Sequence, residues 1–574
     1  MTKLFVYLKN YRRECVLGPL FKLLEASLEL LVPLIVSAVI DNGILAGDRS
    51  YVLKMALLLV GIGLVGLAFS LTAQYFSAKA AVGFATKLRH ALYAHIQGFS
   101  FETLDQIGIP TLITRMTSDM NQVQTGLNLT LRLLLRSPFV VFGAMIMAFT
   151  IDAKSALWFA AVIPVLAVVV FGIMLVSIPL YRKVQERLDR VLGASRENLN
   201  GVRVLRAFRL EDNEIRSFTR KNTELTTEQR RVGRISALMN PLTYVIINLA
   251  VILLLRTGAM RVNSGILTQG AVVALYNYMG QILVELIKLA NLIIHITKSI
   301  ACGNRIQSVL EIDGREAVDP GLPTGKENLR VQFSDASICY PGASGEALQH
   351  LSLDVLPGQT VGVIGGTGSG KSTLVNLIPG FYRATSGAVF VDGRDVRAYE
   401  PERLREKIGM VPQKAVLFKG SIRENLKWGN PDADDDRLLE AVRLAQAADV
   451  VEAKGGLDGE IEQFGRNLSG GQRQRLTIAR ALVRRPEILI LDDSSSALDF
   501  ATDAALRKAI AGLDYHPTVF LVSQRTSAVK NADLIVVLED GKPVGIGKHE
   551  ALLASCPVYR EIHESQFRKE GRQR

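Results

Sequence analysis

Cysteine is scarce: Cys15, Cys302, Cys339 and Cys556 are the only four in 574 residues, and each stands alone. That spacing excludes a disulfide framework and any metal site built on paired cysteines, so all four read as free thiols. Charge is thin as well, 21% of residues against 48% hydrophobic. Soluble chains can reach that apolar fraction, so its placement matters more than its size. The N-terminus lacks the pattern of a cleavable signal. Lys9, Arg12 and Arg13 follow a short amphipathic run and precede a long apolar one, which suits a helix lying on the inner membrane face. Acids are the minority among charges, 55 against 67 bases, for a formal net charge of +12. Nucleic acid would account for such a surplus, but cytoplasmic loops of membrane proteins also accumulate Lys and Arg. The bases here fall in such loops, and a nucleic-acid partner is discounted.

What is present divides in two. A chain of this length exceeds one ordinary core, and its apolar excess lies before about residue 300. A helix needs about 20 mostly apolar residues to cross a bilayer. Six stretches qualify, near 15–41, 55–80, 133–150, 155–180, 240–260 and 270–297. The first is interrupted by Lys22, Glu25 and Glu29, and each such charge at a helix centre costs about 2.5–3.5 kcal/mol on insertion scales. Residues 182–238 carry fourteen Lys or Arg, so the long connections face the cytoplasm and the short ones face outward. Both long segments, 85–130 and 182–238, keep helical periodicity, which predicts helices extended below the bilayer to meet a cytoplasmic domain. On a helical wheel Asn277, Gln281, Glu285, Lys288, Asn291 and His295 share about one third of the sixth span. A substrate pathway and helix–helix packing explain that stripe equally well.

Residues 313–328 turn rich in Pro, Gly and charge, a linker between a membrane domain at 1–312 and a second domain at 329–574. Beyond it, Thr360–Ile364, Ala388–Val391, Ile488–Leu491 and Val519–Val522 are short buried-strand candidates alternating with helices, which predicts an α/β fold. The first strand feeds Gly365, Gly366, Thr367, Gly368, Ser369, Gly370, Lys371 and Ser372, followed by Thr373. This is the P-loop pattern, in which glycines let backbone N–H groups wrap phosphates. Lys371 would reach the β- and γ-phosphates and Ser372 would ligate magnesium. Ile488–Leu491 ends in Asp492, an acid placed for the same magnesium. Ser469, Gly470, Gly471 and Gln472 open a further helix, another arrangement suited to an anion.

With these motifs together, the chain resembles ABC transporters of the exporter fold, type IV, over nearly its full length. The resemblance implies an all-α six-helix transmembrane domain followed by an α/β P-loop ATPase, the ABC nucleotide-binding domain, with ATP and Mg2+ as cofactors. It implies that Tyr340 stacks on adenine, that Gln413 is the Q-loop residue beside magnesium, and that Ser496–Asp499 is the D-loop. Leu468–Gln472 looks like the signature that contacts the ATP of a second nucleotide domain. A half-transporter must therefore pair with another. Membrane lipid and an amphipathic small-molecule cargo are the further partners implied, at a bacterial cytoplasmic membrane.

Two positions depart from the family pattern. Asp493 stands where a catalytic glutamate is usual, and Gln524 where a switch histidine is usual. The stretch Glu462–Arg466, before the signature, differs too. A base must lie within about 2.6–3.2 Å of the water it polarises, and a misplacement near 1 Å can cost about 100-fold. Asp is one methylene shorter than Glu, and Gln524 can donate a hydrogen bond but carries no charge. ATP binding with slow hydrolysis follows, as in the subunit of heterodimeric bacterial multidrug exporters that carries the impaired site. A homodimeric transporter of lipid, peptide, thiol or siderophore, and a regulatory ATP-sensing subunit, are the alternatives.

Overall fold

The computed structural model describes residues 2–316 and 318–567. Ala317 of the expected linker and the last seven residues of the expected second domain, 568–574, lie outside them. The chain forms two compact units, one of residues up to Gln97 with Pro110–Asp313, the other of Gly98–Ile109 with the chain from Gly314 onward. Segment 98–109, which the sequence reading left inside residues 1–312, thus packs with the second unit. Its helix Phe101–Ile107 is two turns long, too short to hold a hydrophobic face by itself. Phe101 finds its partner in Phe381, with ring centroids 4.4 Å apart.

In the first unit six helical stretches of the described residues are long and apolar enough to cross a membrane: Lys3–Ile44, Arg49–Gln97, Ile109–Ile151, Ala153–Asn200, Glu211–Asn263 and Gln269–Leu310. The shortest has 42 residues and the longest 53. At 1.5 Å per residue these run to about 63–80 Å of helix, at least twice the ~30 Å hydrocarbon core. Helix starts are marked by side-chain caps. Asp152 accepts from the Ser155 amide at 2.8 Å and Thr268 from that of Ala271 at 3.2 Å, each satisfying an orphan donor of the first turn.

The charges that interrupt the first span are matched inside this unit. Lys22 Nζ donates to Glu25 Oε2 at 2.5 Å and to Ser70 Oγ of the second span at 3.3 Å. Arg136 donates to Glu29 at 2.5 Å and to Glu285 at 2.6 Å, while Ser137 and Lys288 each reach Glu285 at 2.8 Å. Three acids thus meet three bases across the first, third and sixth spans, which removes most of the penalty for carrying charge into the bilayer. The polar stripe of the sixth span is split by this packing: Glu285 is buried, while Lys288 and Asn291 are exposed.

The second unit holds a six-stranded sheet in the order Lys542–Gly547, Leu534–Glu539, Thr360–Gly365, Thr518–Ser523, Ile488–Asp492, Ile408–Val411. All neighbours are parallel except the first pair. Its inner strands are buried on both faces, Thr518–Ser523 and Ile488–Asp492 along their whole length, as a sheet covered by helices requires. Ser386–Val391 does not join it. That strand pairs with Val331–Ile338 in a separate antiparallel sheet that also holds Leu348–Val355 and Arg394–Asp395. Val331–Ile338 carries bulges on both sides, and the extra residues break the alternation by which a strand is read from sequence.

Candidate functional site

Register places the functional groups together. Val522 lies opposite Asp492, and Ser523 opposite Ile364, so three strands end side by side at the carboxyl edge of the sheet, where ligands of open α/β folds bind. The loop after Ile364 turns into helix Lys371–Leu377. Gly370 there has φ +93°, and a Cβ on it would lie 2.5 Å from the Ala347 carbonyl oxygen, so no larger residue fits. The cleft is lined by Ala347, Thr367–Thr373, Gln413, Asp492, Asp493, Val522 and Gln524.

Within it Lys371 Nζ donates to the carbonyls of Gly365 and Gly366 and lies 3.4 Å from Ser369 Oγ. Burial lowers its pKa, opposed by the charges of Asp493 and Asp492. Ser372 Oγ donates to Asp492 Oδ1 at 3.0 Å. Burial pushes the Asp492 carboxyl above the usual range, against the Ser372 hydrogen bond and with repulsion from Asp493 adding to the rise. Asp493 is likewise raised by burial, opposed by Gln413, Lys371 and Arg525. Two raised carboxylates beside one buried ammonium make a site in which added cation and added anion are both favourable.

Asp493 has φ +47°, a left-handed conformation that Asp adopts more readily than most side chains. Gln413 Nε2 reaches its Oδ2 at 3.4 Å, a long contact. No group of three or more His, Cys, Asp or Glu able to hold a metal forms among the described residues. A magnesium that borrows its ligands from phosphates needs no such group, and Ser372 Oγ with Asp492 would supply two protein oxygens. The donor set therefore fits Mg-nucleotide.

Tyr340 stands beside the cleft, its hydroxyl donating to Thr373 Oγ1 at 3.3 Å, with burial raising its pKa. Ser469 and Gln472 are absent from the lining. They form a reciprocal cap on helix Gly470–Val483, Ser469 Oγ accepting from the Gln472 amide and Gln472 Oε1 from that of Ser469. Gly470 is exposed, and a Cβ on it would meet nothing within 4 Å. One chain thus keeps Ser469 and Gln472 apart from the cleft that its own glycine loop lines.

A larger cavity, about 500 Å³, opens at the opposite end of the sheet beside helix Phe500–Ala511. It has neither the glycine loop nor the paired acids, and the chemistry stays with the smaller cleft. Sequence reasoning missed Tyr382 and Asp105, which pack behind Tyr340. The aromatic doublet Phe381–Tyr382 soon after the P-loop helix is the one hint, and nothing local links it to a residue near position 100.

Comparison with known proteins agrees with this fold. Residues 15–286 match the family model of the ABC transporter transmembrane region and residues 348–496 match the ABC transporter family model. An uncharacterized ABC transporter ATP-binding protein of Bacillus subtilis, YfiB, is 35% identical over 572 residues, 100% of this chain and 99% of its own. Another Bacillus subtilis ATP-binding/permease protein, YgaD, whose name assigns it provisionally to multidrug export, is 30% identical over 99% of both chains. The ATP-dependent lipid A-core flippase of Pectobacterium atrosepticum is 27% identical over 98% of this chain and 97% of its own. Among solved structures, a bacterial Atm1-family ABC exporter with ATP bound superposes with a TM-score of 0.79 at 23% identity, covering 97% of this chain and 98% of that one.

Proposed function

Because the chain belongs to the ABC transporter family and joins the family's membrane region to its ATPase in one polypeptide, we propose that it is one half of a heterodimeric exporter whose own ATP site hydrolyses slowly. Asp493 carries this reading. Its carboxylate is one methylene short of the usual glutamate, and its one side-chain hydrogen bond, from Gln413, is long at 3.4 Å. Gln524, beside it in the cleft, cannot carry the positive charge of a histidine. Lys371, Ser372 and Asp492 keep the groups that binding needs. Magnesium held by Ser372 and Asp492, with Gln413 adjacent, would offset phosphate charge in the bound nucleotide.

The signature Ser469–Gln472, exposed at Ser469 and Gly470, supports pairing with a second half-transporter, since in this arrangement it would serve a phosphate other than its own. The cleft, at about 220 Å³, is smaller than the ~300 Å³ at which ligand pockets usually begin, which fits a site completed by a second surface. An amphipathic small molecule is the cargo class that best suits a membrane unit whose buried charges are already paired. Multidrug export and lipid flipping, the roles named for two of the relatives, lie in the same class. The nucleotide domain would face the cytoplasm, on the side of the basic segment 182–238.

The test is the mass of the complex purified from native membranes, joined to single-turnover ATP hydrolysis resolved by site. A mixed dimer with slow turnover at this chain's P-loop is expected. A homodimer, or hydrolysis here as fast as at the partner's site, would overturn the reading.

A further inference from the structure

Four side chains run in series behind the phosphate loop, all within the second unit. Asp105 sits on helix Phe101–Ile107, which Ser100 caps. Tyr382 donates its hydroxyl to Asp105 Oδ2 at 2.6 Å, a short, charge-assisted bond. The Tyr382 ring meets that of Tyr340 at 4.9 Å between centroids and 87° between planes, the edge-on arrangement that aromatic quadrupoles favour. Tyr340 ends the series on Thr373, whose side chain lines the cleft. Phe101 packs on Phe381 at 4.4 Å and lies 6.4 Å from Tyr382, so the helix bearing Asp105 is held against the aromatic doublet at two points.

We propose that Tyr382 is a positioning residue for nucleotide-base recognition: it sets the plane of the Tyr340 ring and is itself held by Asp105. The proposal rests on the reading of Tyr340 as the adenine-stacking residue. A tyrosine ring has two soft torsions, and the Tyr340 hydroxyl has only one long bond, to Thr373, with which to restrain them. The edge-on contact with Tyr382 supplies the second restraint. Tyr382 in turn is fixed at both ends, by its ring against Tyr340 and by its hydroxyl against Asp105. Stacking on a base requires parallel planes, so a Tyr340 ring free to tilt loses base affinity while the phosphate grip of Lys371 and Ser372 is untouched. Asp105 reaches this arrangement through helix Phe101–Ile107, which is covalently continuous with the second and third spans. The base-reading ring is therefore tied to a segment that belongs by connectivity to the membrane helices.

The experiment compares a nucleotide with a ligand that has phosphates and no base. The full-length transporter is purified with its partner subunit, the partner's own P-loop having been disabled by mutation, and radiolabelled Mg-ATP binding is competed with Mg-tripolyphosphate. Tyr382→Leu should weaken ATP about 5- to 10-fold, a fraction of the loss for full removal of a stacking ring, and leave tripolyphosphate within twofold. Tyr382→Phe and Asp105→Ala should each weaken ATP about threefold, and together no more than either alone, since both delete one bond. Asp105→Asn, which keeps an acceptor oxygen, should recover most of that loss. An unchanged ATP-to-tripolyphosphate ratio in Tyr382→Leu, while Tyr340→Ala shifts it, would overturn the positioning role. Equal weakening of both ligands would mark a folding effect and overturn it too. Additive losses in the double variant would remove Asp105 from the arrangement. If Tyr340→Ala itself leaves the ratio unchanged, the adenine reading fails and this proposal falls with it.

Discussion

Ser372 Oγ donates to Asp492 Oδ1 at 3.0 Å, tying the P-loop helix to the end of strand Ile488–Asp492. The bond partly offsets the burial that pushes the Asp492 carboxyl upward. In the metal-free domain this carboxylate is an unfavourable buried charge, and its value lies in what it binds.

Asp492→Asn should therefore stabilise the nucleotide-free protein and abolish magnesium-dependent ATP binding. For a domain of this size about 1 kcal/mol corresponds to a melting shift of about 2–4 °C. The sign with pH follows from the raised pKa. The native state holds the proton more tightly than the unfolded chain, so acidification through the folded pKa favours the native state. The advantage of Asp492→Asn over wild type should be present at neutral pH and close as pH falls. Melting curves of both proteins across pH, without nucleotide, give the answer.

Gly470→Asp and Lys371→Ala should separate the two sites. A Cβ at Gly470 would meet nothing within 4 Å, so the domain should fold normally. A carboxylate there would oppose the phosphate of a facing nucleotide, and like-charge contact of this kind is strongly unfavourable. If the proposed asymmetry holds, steady-state ATPase of the complex is expected to collapse for Gly470→Asp and to remain measurable for Lys371→Ala, which would damage only the site proposed to be slow. Far-UV circular dichroism confirms that each variant is folded.

Restoring the usual pair at 493 and 524 should add hydrolysis. Asp493→Glu with Gln524→His is expected to raise single-turnover hydrolysis at this P-loop by about 10- to 100-fold, the range that a carboxylate misplacement near 1 Å can cost. The gain carries a small penalty, because position 493 has φ +47° and left-handed backbone costs about 1–2 kcal/mol for residues less suited to it than Asp. Quenched-flow hydrolysis and a melting curve measure both effects.

In the membrane unit, Glu285→Ala should damage assembly before it alters transport. It would leave the buried Arg136 short of one partner, and breaking a buried pair costs about 3–5 kcal/mol. Glu285→Gln, which keeps an acceptor oxygen, should lose less. Lys288→Gln, at an exposed position of the same stripe, should assemble normally and change the cargo dependence of ATPase. Yield of monodisperse complex and cargo-stimulated ATPase distinguish the two residues.

Much of this protein is readable in one dimension because its determinants are local. Six apolar stretches announce six spans, since each must satisfy its backbone within itself in lipid. Gly365–Ser372 announces a phosphate loop, since the glycines and Lys371 act within a few residues of one another. Strands such as Ile488–Asp492 betray themselves by a continuous apolar run, Ile488–Leu491. Asp493 and Gln524 are likewise legible as departures, because each adjoins a local motif. Tertiary structure decided the rest. It paired Arg136 with Glu285, 149 residues away, and so drew one member of an ambiguous polar stripe into the packing. It brought Tyr382 to Asp105 across 277 residues and moved segment 98–109 into the second unit. It gave Asp493 its left-handed backbone and its long contact with Gln413. Contacts of that range leave no periodicity in a sequence, because the partners are chosen by the packing of whole helices and sheets and not by the residues that flank them.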